Sequence, residues 1–331
     1  MVLAAGLGTR LRPLTAVCPK ALLPVRGRRL VEVTLEALVE VGCEAVAINL
    51  HHLGSDIEES LGDRFEGMPI VYSREQEILG TLGALVHLRE FLSGASTVLL
   101  VNGDSLCRWP FHGLLERHWT NGAEATLLLS ETADSTTFGG VGINDDGRVT
   151  SFPGAPAFSA VDRRLVFAGA HAFSPDLLTA TEPGFSSIIP ELYLPLLEAG
   201  RHLDSHTTAV EWHDVGTPLR YLDAVRSWRS EDLGGLDPAL GESWIHGTAE
   251  VAEGAEVAGS VVEGGAVVGD LASIASSLVM TGARVGSGSR LSRTIVGPRV
   301  VLAPGSSFAA SLVTAPAPGE GSSEVVVTPL R

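Results

Sequence analysis

The 331-residue chain carries a formal net charge of −16, with 45% hydrophobic and 19% charged residues, a balance that fits a packed globular protein and excludes a disordered one. Its length favours two domains, and the acidic excess argues against nucleic acid as a partner, because that needs a basic face to meet the phosphate backbone. No apolar run reaches the roughly 18 residues of a membrane span and no basic segment precedes a signal-type apolar core, so no membrane partner and a cytoplasmic location are expected.

Residues 2–5 read as a short apolar strand ending in a glycine-rich turn, and 31–41 follow with helical spacing. A strand is expected at 44–49, a helix at 55–61, a strand at 70–72 and a helix from about Thr81, with Thr81 as its cap. The run 97–101 is another buried strand, ending in Asn102-Gly103-Asp104. This alternation is that of a doubly wound α/β sheet, whose ligands bind beyond the carboxyl ends of the strands. Shorter strands follow at 125–130, 140–143 and 165–173. Helical patterning returns at 187–199 and again from Pro218 to about Trp228, where Thr217 is placed to cap and Pro218 to take the first position.

Beyond residue 240 the composition changes. From 245 to 308 glycine, valine, alanine and serine recur in units such as Ala249-Glu-Val-Ala-Glu-Gly, Ala255-Glu-Val-Ala-Gly-Ser and Ala283-Arg-Val-Gly-Ser-Gly. Recurring valine and isoleucine without helical periodicity point to a parallel β-helix of hexapeptide-like units rather than a linker. The expected bounds are 240–315 for this domain and 316–331 for a loosely ordered tail.

Of the 23 basic residues only Lys20 is a lysine; a lone survivor in an arginine-biased chain suggests a compact ammonium that a guanidinium fork cannot replace. Cys18, Cys43 and Cys107 are widely spaced and form no C-x-x-C pair, so neither a disulfide framework nor a zinc site is expected. His51 and His52 follow a strand without metal-ligand spacing and read as structural. The loop Gly6-Leu7-Gly8-Thr9-Arg10-Leu11 follows the first strand, where backbone amides can cradle phosphate. Leu11 stands where a dinucleotide fingerprint needs its third glycine, and no Walker lysine-serine ending follows.

Extended through Arg12-Pro13-Leu14-Thr15 and Pro19-Lys20-Ala21-Leu22-Leu23-Pro24-Val25, this pattern resembles the sugar-1-phosphate nucleotidyltransferase family over residues 1–228, and the repeats look like the left-handed β-helix that many members carry. The resemblance implies an α/β fold, with a Rossmann-like mixed-sheet nucleotidyltransferase domain at 1–230 followed by a C-terminal left-handed parallel β-helix. It implies an enzyme that joins a nucleoside triphosphate to a sugar 1-phosphate and releases pyrophosphate. Leu3, Ala5, Gly6, Gly8 and Thr9 would wrap the nucleotide, and Arg10 and Lys20 would bind its phosphates. Asp104 and Asp214 would hold Mg2+, making Arg10, Lys20, Asp104 and Asp214 the catalytic set.

Glu77-Ile78-Leu79-Gly80-Thr81-Leu82-Gly83 is similar to the base-contacting loop of mannose-1-phosphate guanylyltransferases, which implies Glu77, Gly80 and Thr81 as further nucleotide contacts and GTP with mannose 1-phosphate as the leading pair. A carboxylate at Glu75 or Glu77 can accept from the N1 and N2 donors of guanine. Gly140 and Gly169 match positions where the family brings backbone close to the sugar phosphate. The Glu-Lys-Pro of many relatives is replaced by Ser151-Phe152-Pro153-Gly154, with Arg148, Arg163 or Arg164 as possible substitutes. The alternatives are a uridylyl- or thymidylyltransferase on glucose 1-phosphate or N-acetylmuramate 1-phosphate, and a non-catalytic regulatory subunit of the same fold. A homo-oligomer through the β-helix is the expected assembly.

Overall fold

The computed structural model of the chain describes residues 1–228, 242–316 and 325–330. The expected start of the repeats at residue 240 and the tail positions 317–324 and Arg331 lie outside the described residues. The chain forms two compact units, Met1–Gly6 with Val31–Trp212, and Leu7–Leu30 with His213–Arg331.

The first unit is built on a ten-stranded sheet. Val2–Leu3 lies between Val46–Leu50 and Val98–Asn102 and is parallel to both, with Val2 opposite Ile48 and Val101. Every residue of Val46–Leu50 is buried, as expected of parallel strands covered on both faces. Met68–Arg74 continues the parallel set. On the other side Arg163–Phe173 runs antiparallel to Val98–Asn102 and makes the sheet mixed. It pairs in turn with Ala125–Ser130, where the register shifts between Phe167 and His171.

The helices follow the apolar periodicity, at Leu30–Glu40, Gly54–Leu61 and Gly80–His87. The single helix expected at 187–199 is instead a π-helical stretch, Ile189–Tyr193, followed by the α-helix Leu194–Glu198, and each has a proline in its first turn. Pro190 and Pro195 lack the N–H that a continuous α-helical ladder requires.

In the second unit the repeats form three parallel ladders, running from Trp244–Ile245, Glu250–Val251 and Glu256–Ala258, consistent with left-handed β-helical winding. The coil is 17 residues long, one short of three hexads: Ser277 N donates to Ser260 Oγ and Thr294 N to Ser277 Oγ, each 17 positions away and at 3.0 Å. Left-handed backbone recurs with the same period at Gly259, Ser276, Arg293 and Ala310, which sharpens that corner. The hydroxyls of Ser260, Ser277 and Thr294 also donate to the carbonyls of Ala258, Ala275 and Ser292. They thereby satisfy a buried corner that aliphatic side chains would leave polar and unpaired. The tail differs from expectation, because Val326–Pro329 is a strand paired antiparallel with Ser311–Thr314, which extends the ladder at its last coil.

Ser277→Ala removes an acceptor from the buried Thr294 N–H. It should lower unfolding free energy by about 1–3 kcal/mol in urea titration, whereas Ser306→Ala, at an exposed hydroxyl, should stay within about 0.5 kcal/mol of the parent.

Candidate functional site

In the first unit the candidate residues gather at the carboxyl ends of the central strands. Gly103 N donates to Leu3 O at 2.9 Å, and a Cβ at Gly103 would stand 2.7 Å from that oxygen. Only glycine therefore turns the chain between Asn102 and the half-buried Asp104. Gly169 sits where the long antiparallel strand shifts register, with φ of +94°, and its missing Cβ would meet Asn102 Cβ at 3.2 Å and Ser105 Oγ at 3.3 Å. Leu3, Asp104 and Gly169 are thus brought together, with Trp212 Nε1 bonded to Ala168 O alongside. Ala5 is buried, while Gly6 is exposed and has open space where a Cβ would project.

A polar strut crosses the same strand ends. Ala4 N donates to Asn49 Oδ1 at 2.7 Å, Asn49 Nδ2 to Glu75 Oε1 at 2.8 Å, and Leu79 N to Glu75 Oε2 at 2.9 Å. Glu75 is only 6% exposed and both oxygens are engaged, so it fixes the segment before Gly80 and is not placed to read a base. Glu77 is exposed. His51 Nδ1 lies 2.9 Å from Glu75 O, a structural contact.

Thr81 is not the helix cap expected from the sequence, and Gly80 has a close neighbour within the chain. Gly80 has φ of +75°, and its missing Cβ faces the Ser186 carbonyl inside contact distance, so the close approach is to the chain itself. Thr81 does not cap its helix, whose N-cap Leu79 makes no side-chain cap bond. Thr81 Oγ1 instead accepts from Ile188 N at 2.8 Å. Both residues lash 184–188 to the helix start, a long-range contact that local spacing does not carry.

Gly140 is similarly explained by packing: a Cβ would approach Arg164 Cβ to 2.8 Å. Arg164 Nη1 donates to Gly140 O and Ser151 Oγ at 3.3 Å each. Arg163 pairs with Glu131 at 2.7 Å, and Arg148 is exposed on a turn strand whose backbone bridges to Asp204.

The second unit holds the other candidates. Gly8 has φ of +57°, and its carbonyl accepts from Thr15 Oγ1 at 2.8 Å, which folds the loop back on itself. Thr9–Leu11 is a 3-10 turn that leaves Thr9 and Arg10 exposed, and Lys20–Leu22 is a second such turn with Lys20 half-buried. A Cβ on Gly216 would lie 2.5 Å from Asp214 Oδ2 and 3.1 Å from Arg10 Nη1. Arg10 and Asp214 therefore converge on one bare stretch of backbone.

Asp214 Oδ2 also accepts from Arg220 Nη1 at 2.6 Å. Arg220 lies in the first turn of Pro218–Ser227, which Thr217 Oγ1 caps by accepting from Arg220 N at 3.3 Å. Arg220 escaped the sequence reading; the signal that could have found it is an arginine six positions after Asp214, just inside a capped helix. Among the described residues no group of three or more histidine, cysteine, aspartate or glutamate side chains forms a metal cage. Asp104 and Asp214 are instead single carboxylates, of the hard-oxygen type suited to a divalent cation that shares its shell with phosphate.

Residues 1–231 match the family model described as nucleotidyl transferase, and 238–311 match the GlmU-like C-terminal hexapeptide. The chain is 31% identical over 274 residues, 79% of its length and 75% of the relative's, to probable mannose-1-phosphate guanylyltransferase 1 of Oryza sativa subsp. japonica. It is 28% identical over 248 residues, 70% of its length and 64% of the relative's, to the UTP--glucose-1-phosphate uridylyltransferase of Synechocystis sp. (strain ATCC 27184 / PCC 6803 / Kazusa). A crystal structure of HddC from Yersinia pseudotuberculosis complexed with GMP-PN has the same fold, with a TM-score of 0.57 and 22% identity over 68% of this chain and 96% of that one.

Gly80→Ala forces a side chain into left-handed backbone and against the Ser186 carbonyl, and should lower unfolding free energy by about 2 kcal/mol or more. Glu77→Ala, on an exposed turn, should stay within about 0.5 kcal/mol of the parent in the same chemical denaturation.

Proposed function

The chain belongs to the nucleotidyl transferase family and is a sugar-1-phosphate nucleotidyltransferase; we propose that its substrates are GTP and mannose 1-phosphate. The naming of its guanylyltransferase relatives supports that pair, as does the Glu77 to Gly83 segment. A uridylyl reading is favoured by the uridylyltransferase relative and by the missing Glu-Lys-Pro. The observation that carries the chemistry is the convergence of Arg10 and Asp214 on Gly216.

In the reaction a phosphate oxygen of the sugar 1-phosphate forms a bond to the α-phosphorus of the triphosphate, and the bond from that phosphorus to the α–β bridging oxygen breaks, releasing pyrophosphate. Two anions must approach and a third must leave, so positive charge has to be in place beforehand. We assign Arg10 and Lys20 to that role, with the backbone of Leu3, Ala5, Gly6, Gly8 and Thr9 along the nucleotide. Glu77, exposed on its turn, is the remaining candidate for the base. Gly169 borders the sugar phosphate, Gly140 serving there only through the strand it packs.

Asp104 and Asp214 are the residues that would hold Mg2+, which when bound supplies charge to the phosphate oxygens. Arg220 restrains Asp214 by a hydrogen bond to Oδ2. No protein nucleophile is needed, since the displacement is direct.

We further assign 1–230 as the transferase domain and 240–315 as the β-helix, with self-association through the latter. No helix among the described residues is long and apolar enough to cross a membrane, and the cytoplasm is the proposed site of action.

Pyrophosphate release with Mg2+ is the test, across GTP, UTP, dTTP, ATP and CTP against the 1-phosphates of mannose, glucose, N-acetylglucosamine and N-acetylmuramate. Turnover confined to GTP with mannose 1-phosphate is expected; turnover confined to UTP would replace that pair, and silence with nucleotide still bound would favour a regulatory subunit. Lys20→Ala should lower kcat by roughly 100-fold or more with the fold intact. Gly216→Ala, whose methyl crowds Asp214 and Arg10, should lower kcat/KM by at least about tenfold.

A further inference from the structure

The second unit contains both the loop that carries Arg10 and Lys20 and the first coils of the β-helix, and one buried acid joins them. Pro24–Val25 and Arg28–Arg29 form a hairpin that begins four residues after Lys20. Its tip, Arg26-Gly27, has φ of +48° and +82°, the positive pair of a type I′ turn. Gly27 N donates to Glu263 Oε2 at 2.8 Å. A Cβ on Gly27 would come within 3.1 Å of His246 and 3.3 Å of Trp244, so the tip is seated against the first coil with no room for a side chain.

The remaining contacts close a circuit. Arg26 is buried, and its Nε and Nη2 donate to Val225 O at 3.1 Å and Arg226 O at 2.6 Å, at the end of helix Pro218–Ser227. Tyr221 OH, in the same helix, donates to Pro24 O at 2.6 Å, and Arg226 Nε donates to Gly259 O of the β-helix at 2.8 Å. The first turn of that helix carries Arg220, which holds Asp214.

Glu263 is out of place by the logic of the coil. The positions that follow it in the ladder are Met280 and Gly297, as the donor series Glu263 N to Val279 O, Met280 N to Val296 O and Gly297 N to Val313 O shows. Glu263 is 1% exposed, and burial pushes its carboxyl up to about 7 against the pull of the Gly27 and Arg26 backbone N–H groups and the Arg26 guanidinium. An apolar residue such as the next coil's methionine would avoid that desolvation. The acid is explained by what it grips.

We propose that Glu263 is a positioning residue for nucleotidyl transfer, holding the Arg26-Gly27 tip so that the adjoining turn presents Lys20 to the triphosphate. The proposal rests on the assignment of Lys20 to the phosphates.

The experiment measures kcat and the KM for each substrate, alongside thermal melts, for four variants. Glu263→Met copies the next coil and should melt no lower than the parent, yet show kcat reduced at least fivefold and a raised KM for the triphosphate, with the KM for the sugar 1-phosphate within twofold. Glu263→Gln keeps a carbonyl oxygen for Gly27 N–H and should return kcat to within threefold of the parent. Ser277→Ala weakens the β-helix away from the tip and should leave both constants unchanged.

A folded Glu263→Met with parental kcat and KM overturns the proposal, as does an equal kinetic loss in Ser277→Ala. If Glu263→Met does not fold, Gly27→Ala replaces it with the same expected and overturning results. Lys20→Ala separates the two failures: if it remains active, the phosphate assignment itself is wrong and the proposal falls with it; if it is inactive while Glu263→Met is unimpaired, only the proposal falls.

Discussion

The two-residue strand Val2–Leu3 is hydrogen-bonded along both edges, and the first unit is organised around that constraint. Its ladders with Val46–Leu50 and Val98–Asn102 bring three strand ends to one level. The chain leaving Val98–Asn102 then meets Leu3 O so closely that only glycine can stand at position 103. Backbone sterics at Gly103 thus help set the place of Asp104. The same economy appears at Gly169, where a register shift and a missing Cβ let the antiparallel strand close against the Asp104 turn.

Around those strand ends, polar side chains act mainly as struts. Asn49 and Glu75 satisfy backbone donors on either side of the first strand's exit, and a buried acceptor with two such partners is held firmly because losing either leaves a desolvated group behind. Asp204 plays a comparable part farther along the sheet: it is fully buried and accepts from Arg117 at 2.7 and 2.9 Å and from Ser205 N at 2.9 Å. These acids hold backbone in place.

The second unit solves a different problem, since a loop rich in short 3-10 turns has little ladder bonding of its own. Its rigidity comes from the helix Pro218–Ser227 and the β-helix, through Tyr221, Arg26 and Glu263. A β-helix coil built largely of buried aliphatic side chains offers a stiff wall, and a buried carboxylate on it gives the wall a specific point of attachment. Binding groups carried on loops gain precision when such a scaffold supports them.

The sequence by itself determined the order of elements and the chemistry of the loop. Period-two and period-3.6 patterning are local properties, and so is the run Gly8-Thr9-Arg10 with Pro19-Lys20, whose resemblance to the nucleotidyltransferases the family match bears out. The change of composition beyond residue 240 likewise announced the β-helix. Tertiary structure alone decided what each glycine faces: Gly80 faces Ser186 and Gly140 faces Arg164, while Gly216 faces Asp214 and Arg10. It also decided that Glu75 is a strut, that Thr81 holds a distant loop, that Arg220 bonds Asp214 and that Glu263 grips the Gly27 turn. Glu75, Thr81 and Glu263 each bond atoms that long-range folding brings close, which spacing does not carry, whereas Arg220 stands six positions after Asp214, a local signal.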